Sequence, residues 1–140
     1  MAGQTPLLIE SDGTNHSVPD HFETVSFYLK EANLTVSDDV ALHICERETV
    51  VDSILVRAAS TDNTFVARFR KCSDGQSYVA GQAFASIEGG LTNHVVKRAT
   101  IDEAHNVIEA GSVITMDPTV SGDVSDNMVI TMRIRTRVTG

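Results

Sequence analysis

The stretch Met128-Val-Ile-Thr-Met-Arg-Ile-Arg-Thr-Arg-Val138 decides the fold class. Met128, Ile130, Met132, Ile134 and Val138 fall on one side of an extended chain, and Val129, Thr131, Arg133, Arg135 and Arg137 on the other. Successive side chains of a strand point to opposite faces, so this two-residue period predicts a strand with one apolar and one polar face. Its apolar face needs a second layer to cover it.

The same period recurs upstream in Val25, Phe27 and Leu29, in Val40, Leu42 and Ile44, and in Phe65, Ala67 and Phe69 set against Val66, Arg68 and Arg70. Residues 49–59 are apolar enough for a fully covered strand, and Ser60-Thr61-Asp62-Asn63 predicts a hairpin turn to the next one. Beyond the turn formers Ser73-Asp74-Gly75, residues 77–86 predict a strand whose small Ala80, Gly81, Ala83 and Ala85 imply a bend or a close backbone approach. Residues 91–106 are irregular: Leu91, Val95 and Val96 could continue a strand, and residues 101–105 could form one helical turn capped by Thr100. Ala110-Gly111 introduces a strand over 112–116, and residues 118–127 read as a polar loop. About eight short strands, with turn signals every 8 to 12 residues or so, make this an all-β chain folded as an antiparallel β-sandwich of jelly-roll or immunoglobulin type.

Residues 1–22 differ in kind. Pro6 and Pro19 bracket a run of turn formers, with one apolar patch at Pro6-Leu7-Leu8-Ile9, so this part reads as an extended N-terminal arm and residues 23–140 as the sandwich domain. Length agrees, since 140 residues form one domain that buries roughly 70% of its unfolded surface. Valine, isoleucine and threonine supply 40 of the 140, a β-branched content that favours strands. The net charge of −8 sets up a field that repels phosphate backbones, which argues against a nucleic-acid partner. No run approaches the ~20 apolar residues of a membrane span, and the first 13 residues lack the basic start of a signal peptide. Synthesis in a cytoplasm is the expectation. Cys45 and Cys72 are too few for a disulfide scaffold and read as buried thiols, with a single bridge as the alternative.

Chemistry finds little support. His43-x-Cys45 would project two ligands from one strand face, but a zinc centre needs three or four, and only Cys72 offers itself as the next. Asp117, Asp123 and Asp126 crowd one loop without the spacing of a calcium-binding motif. Around Ser77, Gly75 and Gly81 resemble a nucleophile elbow only loosely, because the second glycine stands four residues after the serine instead of two. No phosphate-binding or zinc-protease motif occurs, so no enzyme activity and no cofactor are expected. Absence of Trp weakens a sugar-binding reading, and Tyr28 and Tyr78 read as core-edge tyrosines. One feature stands out electrically: Arg133, Arg135 and Arg137 line one face of one strand. Their mutual repulsion asks for carboxylates, either on a neighbouring strand or on another chain.

The order of segments resembles a family. Val25-Ser-Phe-Tyr-Leu29, Leu34-Thr-Val36, Val40-Ala-Leu-His-Ile44, the long strand over 49–59 and Phe65-Val-Ala-Arg-Phe69 before Asp74-Gly75 are similar to small bacteriophage virion proteins with a jelly-roll-like β-sandwich. Arg98-Ala-Thr-Ile101, Ile108-Glu-Ala-Gly-Ser-Val-Ile-Thr-Met-Asp117 and Met128-Val-Ile-Thr-Met-Arg-Ile-Arg135 resemble the closing strands of that group. Residues 59–63 depart from it, lacking the Ala-Pro-Thr-Gly turn that members often carry after the long strand. The resemblance implies a capsid decoration, or cement, protein on the virion exterior that grips the major capsid protein, commonly as a homotrimer. Pro6, Leu7, Leu8 and Ile9 are then the expected capsid contact, and Arg133, Arg135 and Arg137 a subunit or partner contact. A receptor- or glycan-binding module of a tail or fibre is the alternative, with residues 60–63, 73–76 and 118–127 as its recognition loops.

Overall fold

The computed structural model describes residues 21–29, 40–59, 65–118 and 128–136. They form ten strands: β1 (His21–Leu29), β2 (Val40–Ile44), β3 (Thr49–Arg57), β4 (Ala67–Cys72), β5 (Gln82–Ile87), β6 (Lys97–Arg98), β7 (Thr100–Ile101), β8 (Val107–Ile108), β9 (Val113–Pro118) and β10 (Met128–Thr136). One sheet runs β1-β10-β3-β6, with β8 also paired to β3, and the other runs β2-β9-β4-β5-β7. Every pairing is antiparallel. This is an all-β, two-sheet sandwich, broadly jelly-roll-like, in which neither sheet closes into a barrel.

Alternation builds the core between the layers. Met128, Ile130, Met132 and Ile134 are wholly buried and meet Phe69, Phe84, Ile87, Ile114 and Met116 from the facing sheet. Each large side chain removed from water contributes about 1.5–3 kcal/mol, and covering them is what holds the two sheets together. The final strand follows its sequence pattern from Met128 to Thr136, and Phe65, Ala67 and Phe69 are buried as their period predicts. β1 includes His21 and Phe22, which composition had grouped with the arm.

Along one side the sheets are stitched by a short path. β6 belongs to the first sheet and β7 to the second, with only the buried Ala99 between them, and the chain returns at β8. Between β6 and β8 the edge of β3 is completed by single residues. Ala99 N donates to Ile54 O, and Asn106 both accepts from Val51 N and donates its side-chain amide to Val51 O. A buried backbone group left unpaired is costly, which explains a buried asparagine at this point.

Several local expectations fail for identifiable reasons. β3 and β4 lie in different sheets and do not pair as a hairpin, and the turn expected at residues 60–63 lies outside the described residues. β3 is covered on both faces only at its start, where Thr49, Val50 and Val51 are all buried; farther along, its outer face carries the exposed Arg57 and the half-buried Asp52 and Leu55. Ile44 is 67% exposed because a bulge between Ala41 and His43 reverses the parity of β2. Residues 77–80 turn instead of extending: the Tyr78 carbonyl accepts from the Cys72 thiol and the Thr115 hydroxyl. The helical turn placed at 101–105 is a tight turn capped by Asp102, whose carboxylate accepts from Ala104 N and meets His105 Nδ1 at 2.8 Å. These bonds hold the Asp102 carboxyl below its ordinary range, the imidazole first and the amide second.

Candidate interaction surface

The outer face of the first sheet follows from register. Ile54 and Val56 point into the core, so Leu55 and Arg57 point away from it, and Met132 and Ile134 likewise turn Arg133 and Arg135 outward. Arg98 lies opposite Leu55 and joins the same face. In β1, Val25, Phe27 and Leu29 pack on the core, which leaves Phe22, Ser26 and Tyr28 outside. Rows then read across the strands: Tyr28 beside Val129 beside Arg57, and Ser26 beside Thr131 beside Leu55 beside Arg98. Ser26 and Thr131 share a hydroxyl hydrogen bond of 3.1 Å.

The arginine stripe finds two different partners. A register shift after Arg133 leaves Asp52 as the extra residue of a bulge in β3, and its carboxylate accepts from Arg135 Nε at 2.8 and 3.0 Å. Arg133 instead lies 5.7 Å above the Phe22 ring, within reach of a cation–π attraction. Arg137 falls outside the described residues, as do Pro6, Leu7, Leu8 and Ile9. Arg57 and Arg98 were missed in the sequence; the signal was present at Arg57, whose parity follows from Ile54 and Val56.

Other residues singled out for chemistry are not brought together. His43 sits at the rim, its ring 6.3 Å from that of Phe27, whereas Cys45 is buried, so the two do not share an accessible face. Both cysteines are free thiols, and burial pushes that of Cys45 up, with the Thr49 hydroxyl pulling weakly back. Asp117 belongs to β9 and not to a loop: it is buried and takes the Arg70 guanidinium at 3.0 Å, while Asp123 and Asp126 lie outside the described residues. Ser77 is exposed in its turn. Among the described residues no three His, Cys, Asp or Glu side chains gather where a metal ion could be held, and no helix is long and apolar enough to cross a membrane. Tyr28 and Tyr78 are both exposed. A groove of about 660 Å³ lies over the edge of β2, lined among others by Leu42, His43, Ile44, Asp74, Gln76 and Tyr78.

No protein-family model matches the sequence, and no curated protein does. Solved structures do. A chain of the Cyanophage Pam1 capsid asymmetric unit superposes with a TM-score of 0.51 at 10% identity, over 99% of this chain and 100% of that one. A chain of the capsid of Ralstonia phage GP4 gives 0.58 at 11% identity, over 99% and 94%. The likeness is one of fold. A chain from Bacillus endospore appendages, a family of disulfide-linked pili, reaches 0.50 at 13% identity, over 96% and 100%. This sandwich therefore occurs in capsids and in fibrous appendages alike, and the likeness shows the fold alone.

Proposed function

We propose that this chain is a phage capsid decoration protein, which binds the outside of the assembled head and bridges neighbouring capsid subunits. The observation that carries this reading is the match, over nearly the full length of both partners, to chains of two phage capsid structures. Linkage through disulfides, as in the appendage pili, is disfavoured here because both cysteines are buried. The protein would act by mass action and not by transforming a substrate. Binding the closed shell but not its separated subunits stabilises the shell by RT ln(1 + [L]/Kd), about 2.7 kcal/mol at a hundredfold excess over Kd.

Multivalency would amplify this. A homotrimer seated on a three-fold position turns its second and third contacts into intramolecular events, worth roughly 10²–10⁴ in avidity. Pro6, Leu7, Leu8 and Ile9 supply the capsid contact in this reading, because an apolar patch on an otherwise polar arm gains from ordering against a partner. Adding labelled protein to heads that lack it, and to host cells, tests the proposal. Saturable binding to heads that raises their melting temperature is expected, and deletion of residues 2–10 should weaken it while unfolding stays cooperative. Unchanged occupancy would discard the arm; binding to cells and not to heads would replace the proposal with a receptor-binding module.

A further inference from the structure

We infer that the outer face of the β1-β10-β3-β6 sheet is a docking surface for a carboxylate-rich surface of a different protein. Four guanidinium groups, of Arg57, Arg98, Arg133 and Arg135, share this face in a chain whose net charge is −8. Among the described residues only Arg135 has a carboxylate partner in the sheet, Asp52, and Glu103 lines the same cleft of about 310 Å³. Among the described residues Arg57, Arg98 and Arg133 have none. Neighbouring strands stand about 4.8 Å apart, so these cations repel one another until an anion is set between them.

The apolar residues on the face say what kind of anion. Phe22 is 53% exposed, Tyr28 59% and Val129 38%, and they lie among the arginines and not apart from them. Tyrosine and arginine around an apolar centre are the composition of a protein interface, where the guanidinium fork takes a carboxylate with two bonds. A nucleic acid would meet the long-range repulsion of the whole chain before it reached the patch. A second copy docked face to face would set arginine against arginine. The partner is therefore acidic, and another chain. This deepens the decoration reading by giving the shell contact a chemistry, and it rests on that reading only for where the partner is.

NMR of the isotope-labelled full-length protein, titrated with a glutamate-rich decapeptide, a lysine-rich decapeptide and an oligo-dT of equal length, tests the chemistry. The glutamate peptide should shift the Arg57, Arg98 and Arg133 Nε–H signals and the amides of the outward residues of β1, β3 and β10. The triple variant R57E/R98E/R133E should bind it at least about tenfold more weakly, and R57Q/R98Q/R133Q stands in should the reversal not fold. Shifts located elsewhere, tighter binding of oligo-dT, or equal binding by the variants would overturn the inference. Occupancy on heads separates it from the parent reading. Heads that bind the wild-type and glutamine variants equally would overturn the face, whereas heads that bind neither, with the peptide result intact, would overturn decoration and support the face alone.

Discussion

Asp117→Asn is expected to cost this protein about 3 kcal/mol. The carboxylate accepts from Arg70 Nε at 3.0 Å, and Arg70 Nη1 reaches the Gly81 carbonyl, also at 3.0 Å. Their side chains are only 20% and 10% exposed, so water cannot replace the lost partner. An amide keeps the shape and removes the charge. Breaking a buried pair from one side costs about 3–5 kcal/mol because it strands the other charge, and the exposed fifth of Arg70 places the value at the lower end. For a chain of this length that is a fall of about 9 °C in Tm, at about 3 °C per kcal/mol. Urea unfolding of Asp117→Asn, Arg70→Met and the double variant measures it, with a coupling energy of about 2 kcal/mol between the sites. A loss below about 0.5 kcal/mol for Asp117→Asn, or additive losses in the double variant, would show that the pair does not hold β4 to β9.

Gly81→Ala should destabilise by about 3 kcal/mol in the same assay: its Cβ would stand 2.4 Å from the Lys71 carbonyl oxygen and 2.6 Å from the Cys72 sulfur. Backbone must move to admit it, taking the Gly81 carbonyl off Arg70, and wild-type stability would disprove the contact. The Cys45 thiol, pushed up by burial, should be slow to react with a thiol reagent at pH 8, at a rate that rises with urea as the fold opens. Its neutral form is the one the fold favours, so this contribution is whole below the ordinary thiol value of 9.0 and is lost as pH rises through the raised one. Fast labelling that urea does not change would contradict the burial.

Strands whose apolar positions face one core were legible because a two-residue period is both local and unambiguous. β10 and β4 show this: Met128 to Ile134 and Phe65 to Phe69 are buried at alternate positions, as the pattern required. Pairing was less accessible. Nothing local distinguishes a turn that folds β3 back on itself from a link that carries the chain to the facing sheet, and the true neighbour of β3 is β10, some 80 residues on. The two-residue strands β6, β7 and β8 had no period to display. They exist because β3 and β5 present open edges, and short segments satisfy those edges one or two bonds at a time.

Parity explains how the surface was half legible. Counting in twos put Arg133 and Arg135 on one face, and the count is right within β10 because that strand carries no extra residue. The same count run back through β3 from Ile54 and Val56 would send Asp52 inward and Val51 outward, and applied to β2 it would bury Ile44. Each error comes from one bulge residue, Asp52 in β3 and Leu42 in β2, after which inside and outside exchange. Such a residue leaves no compositional mark. Its effect here is specific: the bulge places the Asp52 carboxylate against Arg135 while Ser53 stands opposite Arg133, so one arginine of the stripe is neutralised and the next is not. Had the register continued without the shift, Asp52 would stand opposite Ile134 and point into the core, away from both arginines. The shift therefore ties down one end of the cationic face and leaves Arg133, with Arg57 and Arg98, to act on whatever meets the sheet from outside.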